Sequence, residues 1–380
     1  MIIGFDARVL MDKHYSGVSE YAANLLAALF ELDPDNEYRL FYNSWRDLSG
    51  RLDFLKRPGV KIIASRYPNK IFNYLGQKLL AYPKIDQLIG GCDLFFAPHL
   101  NFCALSPQTK FVLTVHDLSF LRYPEFFSGR KNIWHRALAV KRLIERADRV
   151  VAVSENTRQD LIELLGLGAD KISVVHSGLN RRASELRSEA ITEFLKIHKL
   201  SSPYILYLGN VEPRKNILGL IRAYELFRAN NPDRSELLVI AGADAWKTKE
   251  IRAAWQGSSY KNDIRLLGYV SETDKACLYL RAGLFVYPSF YEGFGFPPLE
   301  ALSYNLPVVC SNVSSLPEVG GKAVLSIDPY NIPQLAKALG LGLSDTTLRD
   351  ALIGQAKQQV AEFSWSGSAR AYLDLFKSLS

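Results

Sequence analysis

ISVVHSGLNRRASELRSEAITEFLKIHKLSSPYILYLGNVEPRKN, residues 172–216, decides how this chain of 380 residues is read. The stretch opens on a β-branched run, passes through a polar, charged, helix-like segment from Asn180 to Ser202, and resumes with the apolar run YILYLGN. A short continuous apolar run between turn residues is the mark of a strand buried on both faces, as in a parallel sheet. Upstream, the same pattern occurs as IIGF, YRLFYN, VKIIA, LFFAP, FVLTVHD and RVVAVS; downstream, as LLVIAG, IRLLGYV, LFVYPS, PVVCSN and AVLSID. Amphipathic stretches separate the runs. The restart therefore predicts two α/β domains in tandem, residues 1–178 and 204–362, with a hinge at 179–203. Residues 363–380, FSWSGSARAYLDLFKSLS, predict a last helix with Trp365, Ala369, Tyr372 and Phe376 on one side. Open parallel sheets bind ligands at the carboxyl ends of their strands, which is where functional residues are to be sought.

Composition narrows the class. With 48% apolar and 22% charged residues and no low-complexity tract, the chain is neither disordered nor fibrous. Cys92, Cys103, Cys277 and Cys310 form no CxxC pair and sit in apolar segments, so they read as buried free thiols of a reducing compartment. The start, MIIGFDARVL, has the form of a first strand and not of a secretion signal. No apolar run approaches the roughly 20 residues of a membrane span. A cytoplasmic protein is expected, one that does not cross a membrane. The net charge of +7 is uneven: residues 51–150 hold 17 Lys or Arg against 7 Asp or Glu, so that this part is +10 and the rest −3. In it, RLDFLKRPGVKIIASRYPNKIFNYLGQKLL mixes cations with aromatics, and GRKNIWHRALAVKRLIERADR predicts a basic helix. Such a region suits an anionic membrane surface or a phosphate-bearing acceptor, with a solvated helix face as the plain alternative. Nucleic-acid binding lacks an accompanying zinc, helix-turn-helix or RNA-binding signature.

Three turns carry candidate chemistry. In HYSGVSEYAANLLAALF, Ser16 and Gly17 precede a helix, where a glycine lets backbone N–H groups approach a phosphate or simply makes a turn. In YLGNVEPRKN, a strand delivers Arg214 and Lys215 to the start of a helix expected from about Asn216 to Arg228. Two cations and a helix dipole then point at one place, which fits a diphosphate. In PSFYEGFGFPPLEALSYNLPVV, Glu292 lies in the loop, Gly293 and Gly295 expose backbone N–H groups, and Glu300 falls in the first turns of the next helix. The two carboxylates can accept hydrogen bonds from the vicinal hydroxyls of a sugar and a ribose, with phosphates between. That order suits a nucleotide sugar. Taken singly, either carboxylate could instead be a dipole partner or a solvated charge.

Taken together, these segments resemble the retaining glycosyltransferases of family 4, which share the two-domain glycosyltransferase B fold. The resemblance rests on Glu292 to Glu300 in EGFGFPPLEA, EPRKN at Glu212 to Asn216, TVHDL at Thr114 to Leu118, and SGVSEY at Ser16 to Tyr21, in an order and spacing that match over nearly the full chain. It implies two Rossmann-like domains facing across a cleft, with the last helix returning to the first domain. It also implies catalytic roles for His116 and Glu292, the latter facing the donor sugar. Donor phosphates would lie against Gly17, Arg214, Lys215 and Gly295, the ribose against Glu300, and the sugar against Gly293, Phe294 and Phe296. Many relatives carry Arg where this chain has Asn210, which leaves the phosphate charge to Arg214 and Lys215.

The implied reaction moves a hexose from a nucleotide diphosphate to an acceptor hydroxyl with retention at the anomeric carbon. It would proceed on one face of the sugar, the leaving diphosphate helping to deprotonate the acceptor, without a cofactor or metal. Asp33-Pro34-Asp35 reads as a polar loop and not as a magnesium site. EGFGFPPLE and TVHDL are most similar to bacterial mannosyltransferases that use GDP-mannose in O-antigen or exopolysaccharide synthesis. UDP- and ADP-hexoses stay open as donors. A lipid-linked acceptor would make the enzyme peripheral on the inner membrane face, through residues 51–149. A nucleotide-sugar 2-epimerase and a non-catalytic sugar-binding protein are the competing readings; the Glu292 to Glu300 spacing opposes the first and the missing secretion signal the second.

Overall fold

The structure, a computed structural model, describes residues 1–11, 17–46, 48–180, 188–200 and 203–379, with residues 49 and 135–137 described by backbone alone. Ser16 of the expected phosphate turn, and 181–187 and 201–202 of the expected hinge, lie outside the described residues. The chain divides into two compact units: Met1–Arg122 with Gly129–Gly178 and Phe363–Ser380, and Tyr123–Ser128 with Leu179–Glu362.

In the first unit, β1 (Ile2–Asp6), β2 (Glu37–Asn43), β3 (Val60–Ser65), β4 (Leu94–Ala97), β5 (Lys110–Val115), β6 (Arg149–Ala152) and β7 (Ile172–Val174) form one sheet in the order β3-β2-β1-β4-β5-β6-β7. Every pairing is parallel. The strands are the seven runs read from the sequence, and β4 is buried along its whole length, as helices on both faces of a sheet require. In the second unit, β8 (Ile205–Leu208), β9 (Leu238–Ala241), β10 (Ile264–Gly268), β11 (Leu284–Tyr287), β12 (Val308–Ser311) and β13 (Val324–Ile327) take the order β10-β9-β8-β11-β12-β13, again wholly parallel. Each sheet is built outward on one side and then reverses, between β1 and β4 in the first and between β8 and β11 in the second. The loops leaving those strands part in opposite directions and open a crevice at the carboxyl ends.

Local chemistry sets the helix limits. Ser154 caps the helix Glu155–Leu165 by accepting from the Thr157 N–H at 3.1 Å, and Gly166 ends it in the left-handed region. Ser271 and Asp274 form a reciprocal capping box at the start of Glu272–Arg281. The stretch expected as one basic helix is two, Gly129–Ala137 and Val140–Arg146, broken where Ala139 takes a φ of 48°. Cys277 and Cys310 are buried free thiols, whereas Cys92 and Cys103 are only half-buried.

The last helix, Trp365–Lys377, packs against the helix Gly17–Leu32 within the first unit. Its buried side holds the expected Trp365, Ala369, Tyr372 and Phe376. The Tyr372 hydroxyl lies 2.7 Å from both the Tyr21 hydroxyl and Thr114 Oγ1, so three elements meet in one buried polar knot. Gly178 admits the helix start: a Cβ there would stand 2.2 Å from the Trp365 nitrogen. Two segments depart from the expected boundaries, the first being the described part of the expected hinge, which belongs to the second unit. Tyr123–Ser128, inside 1–178, belongs to the second unit, where Phe126 stacks on Phe290 at 5.7 Å and accepts the Trp246 indole N–H at its carbonyl at 2.6 Å. Aromatic burial there outweighs chain connectivity.

Replacing Tyr372 with Ala removes a fully buried ring together with the knot, and is expected to destabilise the protein by about 3–5 kcal/mol. Urea unfolding measures it. A loss below about 1 kcal/mol would show that the last helix is not integral to the first unit's core.

Candidate functional site

The second unit concentrates charge at its point of reversal. Leaving β8, the chain makes a single helical turn, Pro213–Lys215, before Asn216, at a φ of 55°, starts the helix Ile217–Asn230. The cations therefore precede the long helix by a separate turn. Leaving β11, the chain reaches Glu292. Lys215 Nζ donates to Glu292 Oε1 at 2.7 Å and to the Tyr287 hydroxyl at 2.6 Å. An Arg214 terminal nitrogen donates to Glu292 Oε2 at 2.9 Å and to the Tyr291 carbonyl at 2.7 Å, while the other donates to Glu212 at 2.6 Å. Glu292 is 6% exposed and Lys215 8% exposed, so the pairs are shielded from solvent. Burial raises the Glu292 carboxyl pKa, but Arg214 and Lys215 outweigh it and hold the value at about 2. Burial lowers that of Lys215, against the pull of Glu292. The loop is fixed from behind as well: the Glu292 N–H donates to Ser314 Oγ at 3.0 Å, and the Ser315 hydroxyl donates to the carbonyls of Glu292 and Phe294 at 3.0 and 2.6 Å.

Glu292 is thus neither a solvated loop charge nor an isolated acceptor. Both of its oxygens hold cations. Glu300, half-buried on the helix Phe296–Ser303, accepts the Tyr279 hydroxyl at 2.8 Å. Gly295 precedes that helix at a φ of 118°, and a Cβ there would stand 2.9 Å from Leu316, so conformation and packing both demand glycine. Phe294 is buried and meets Phe296 edge-on at 5.1 Å. Beside β8, Asn210 contributes its carbonyl, which accepts the Tyr207 hydroxyl at 3.1 Å.

The first unit places His116 just past β5. Its Nε2 lies 2.8 Å from the Pro98 carbonyl, which fixes that nitrogen as the N–H donor and leaves Nδ1 with its lone pair. The Tyr21 ring meets the imidazole edge-on at 4.7 Å, and Tyr21 is itself held by Tyr372. Burial pushes the His116 pKa below the ordinary value, so the ring is neutral at physiological pH. Nearby, at the β1 end, Asp6 is fully buried and takes Arg8 at both oxygens, at 2.8 and 2.6 Å. His99 is pushed by burial to a pKa of about 4. At Gly17 a Cβ would meet nothing within 4 Å among the described residues, so their packing does not require glycine there. Sequence reading overlooked Tyr287, Tyr279 and Ser315, and took Glu212 only as part of a motif. A tyrosine closing the run LFVY was the one visible hint.

Comparison with known proteins shows the family. Residues 191–359 match the family described as Glycosyl transferases group 1, and residues 15–182 match Glycosyltransferase Family 4. O-antigen chain mannosyltransferase B of Escherichia coli is 33% identical over 280 residues, covering 73% of this chain and 73% of that protein. Serotype-specific mannosyltransferase WbdA of Escherichia coli is 30% identical over 273 residues, 71% of this chain; the match spans 34% of that longer protein. A glycosyltransferase from Rickettsia africae superposes with a TM-score of 0.74 at 19% identity, covering 100% of this chain and 98% of its own. Anabaena HepE in complex with UDP does so at 0.71 and 17%, covering 99% of each. At such identities the two structures speak for the fold.

The Glu292 ion pairs have a pH signature. Because its pKa is depressed in the folded protein, the stability it contributes is complete above the ordinary 4.5 and is lost as pH falls from there toward about 2. Glu292→Gln is expected to cost about 3–5 kcal/mol at neutral pH and to flatten the decline over that interval. Urea unfolding of parent and variant over a pH series checks this; parallel curves would show that the carboxylate is not ion-paired.

Proposed function

The chain belongs to glycosyltransferase family 4 and is a hexosyltransferase of the glycosyltransferase B fold, and on that premise we propose that it moves mannose from GDP-mannose to a hydroxyl of a saccharide or lipid-linked acceptor in surface polysaccharide synthesis. The observation that carries the donor site is the buried set Arg214, Lys215 and Glu292 at the reversal between β8 and β11. Two cations held at fixed positions by carboxylates are suited to a diphosphate, because their charge is already desolvated and oriented before the ligand arrives. Lys215 uses two of its three donors on Tyr287 and Glu292 among the described residues, which leaves one for a phosphate oxygen. The mannosyltransferase names of the curated relatives support mannose as the sugar.

Departure of the diphosphate builds negative charge, which Arg214, Lys215 and the N–H group at Gly295 stabilise. On this account these groups do the work a metal ion would do, and no cofactor beyond the donor is needed. Glu300, oriented by Tyr279, takes the ribose hydroxyls, and Glu292 with Phe294 and Phe296 lines the sugar position. Gly17 lets a helix N-terminus approach phosphate. His116 serves the reaction centre as a neutral imidazole whose Nδ1 lone pair accepts from a sugar hydroxyl. The departing phosphate takes the acceptor proton, and the configuration of the anomeric carbon is retained. No helix among the described residues is long and apolar enough to cross a membrane. A lipid-linked acceptor then requires attachment at the inner surface, for which the basic region 51–149 is suited.

Thermal stabilisation by GDP-mannose, UDP-glucose, UDP-N-acetylglucosamine and ADP-glucose, each without acceptor, tests the donor. GDP-mannose is expected to stabilise most, by about 2.7 kcal/mol at a hundredfold excess over Kd. A larger shift with UDP-glucose would move the assignment to that donor, and no shift with any of the four would remove it. Lys215→Ala should weaken GDP-mannose binding about tenfold or more. Transfer should fall by about a hundredfold or more in His116→Ala and in Glu292→Ala, both retaining native circular dichroism. Near-normal transfer by both would sink the site.

A further inference from the structure

The helix Ile71–Leu80 of the first unit has two unlike sides. Its inner side is fastened to the carboxyl end of the first sheet. The Phe72 ring lies 5.9 Å from that of Phe41, Asn73 Oδ1 accepts from Arg8 at 3.3 Å, and Gln77 Oε1 accepts the Ala104 N–H at 2.7 Å. Arg8 is in turn held by Asp6 at the end of β1, on the same sheet edge as His116. The outer side is apolar and covered by none of the described residues: Ile71, Leu75, Leu79 and Leu80 are 49–70% exposed, as is Tyr82 just beyond the helix. A single exposed leucine is ordinary in a soluble protein; four large apolar side chains on one short element are not.

Charge says what covers them. From residue 54 to residue 85 the sequence has no Asp or Glu and seven Lys or Arg, of which Lys70 and Lys78 are exposed on or beside this helix. Apolar side chains interleaved with cations fit an anionic bilayer, whose headgroups take the ammonium groups while its acyl boundary takes the hydrocarbon. In the second basic stretch Arg146 donates to the carbonyls of Ser106 and Thr109, and Arg149 to that of Asp170, so these two cations hold the fold together, while Arg130, Lys131, Lys141 and Arg142 are exposed.

We propose that the helix Ile71–Leu80 is an in-plane membrane anchor, lying in the headgroup region of an anionic bilayer with Leu75 and Leu79 inserted and Lys70 and Lys78 on lipid phosphates. The anchor brings the His116 edge of the first sheet to the lipid surface. The inference deepens the membrane part of the proposed function by naming its element, and rests on that reading only for the anchor's purpose.

Co-sedimentation of the full chain with vesicles tests it, using phosphatidylglycerol mixed with phosphatidylcholine and, in parallel, phosphatidylcholine alone. The parent is expected to sediment with the anionic vesicles and much less with the neutral ones. Leu75→Glu/Leu79→Glu and Lys70→Gln/Lys78→Gln should each partition about tenfold less or weaker still, with unchanged thermal midpoints and unchanged transfer to a water-soluble acceptor analogue. The proposal is overturned if the parent stays in the supernatant, if both folded variants sediment like the parent, or if the apolar pair instead turns a dimer of the parent into monomers. Partitioning is read with neither donor nor acceptor present, so its failure is distinct from a failure of the transfer reading.

Discussion

Parallel strand pairing is the constraint on which both units depend. A strand that must pair in parallel with its neighbour needs a crossover back to the starting edge, and the crossover helices cover both faces of the sheet. All carboxyl ends then lie along one edge, and where the winding reverses no helix crosses between the two central strands. In the second unit that gap receives Lys215 after β8 and Glu292 after β11; in the first it receives Asp6 at the end of β1, Arg8 after it and His99 after β4. The two places are topologically alike but differ in charge. Asp6 and Arg8 satisfy one another at both carboxylate oxygens. Arg214 and Lys215 share Glu292 instead, with Glu212 behind Arg214.

Burying those charges is costly unless each is paired and hydrogen-bonded, and removing one partner leaves the rest exposed to that cost. The arrangement in the second unit therefore ties the loop after β8 to the loop after β11 more firmly than either loop's own backbone could. Arg214 reaches the Tyr291 carbonyl while the Phe290 N–H donates to the Arg214 carbonyl at 2.9 Å, so the two loops grip one another in both directions. Phe290 also carries the stacked Phe126. Electrostatic fixation and aromatic packing thus converge on the same short stretch. An anion entering here meets donors already oriented by the protein, and little reorganisation is left to do.

Most of the fold was legible in the sequence, and only part of the site. Runs such as LFFA and LVIA read as buried strands because apolar burial on both faces is written into consecutive residues. The Gly-Phe-Gly turn with two prolines read as a helix start for a similarly local reason: Gly295 takes a backbone conformation that side chains resist, and proline begins a helix without a wasted donor. The pairings were not legible. Lys215 meets Glu292 across 77 residues, and Thr114 meets Tyr372 across 258. Nothing in the segment EPRKN announces that both its cations are held by Glu292 and not open to solvent. Likewise Tyr123–Ser128 looks like an ordinary link inside the first domain, and its membership of the second unit depends on aromatic partners far along the chain.

What the sequence by itself determined was the set of elements, their alternation, the restart that makes two sheets, and the residue types offered at the strand ends. Those are consequences of sterics and burial acting over a few residues at a time. Tertiary structure alone decided which offered groups meet: that Glu292 binds two cations, that Tyr279 orients Glu300, that Tyr21 and Tyr372 support His116, and that no described residue covers the apolar side of Ile71–Leu80. The physical reason is that such contacts depend on how loops close and helices pack across the whole chain, and no local sequence signal encodes that outcome.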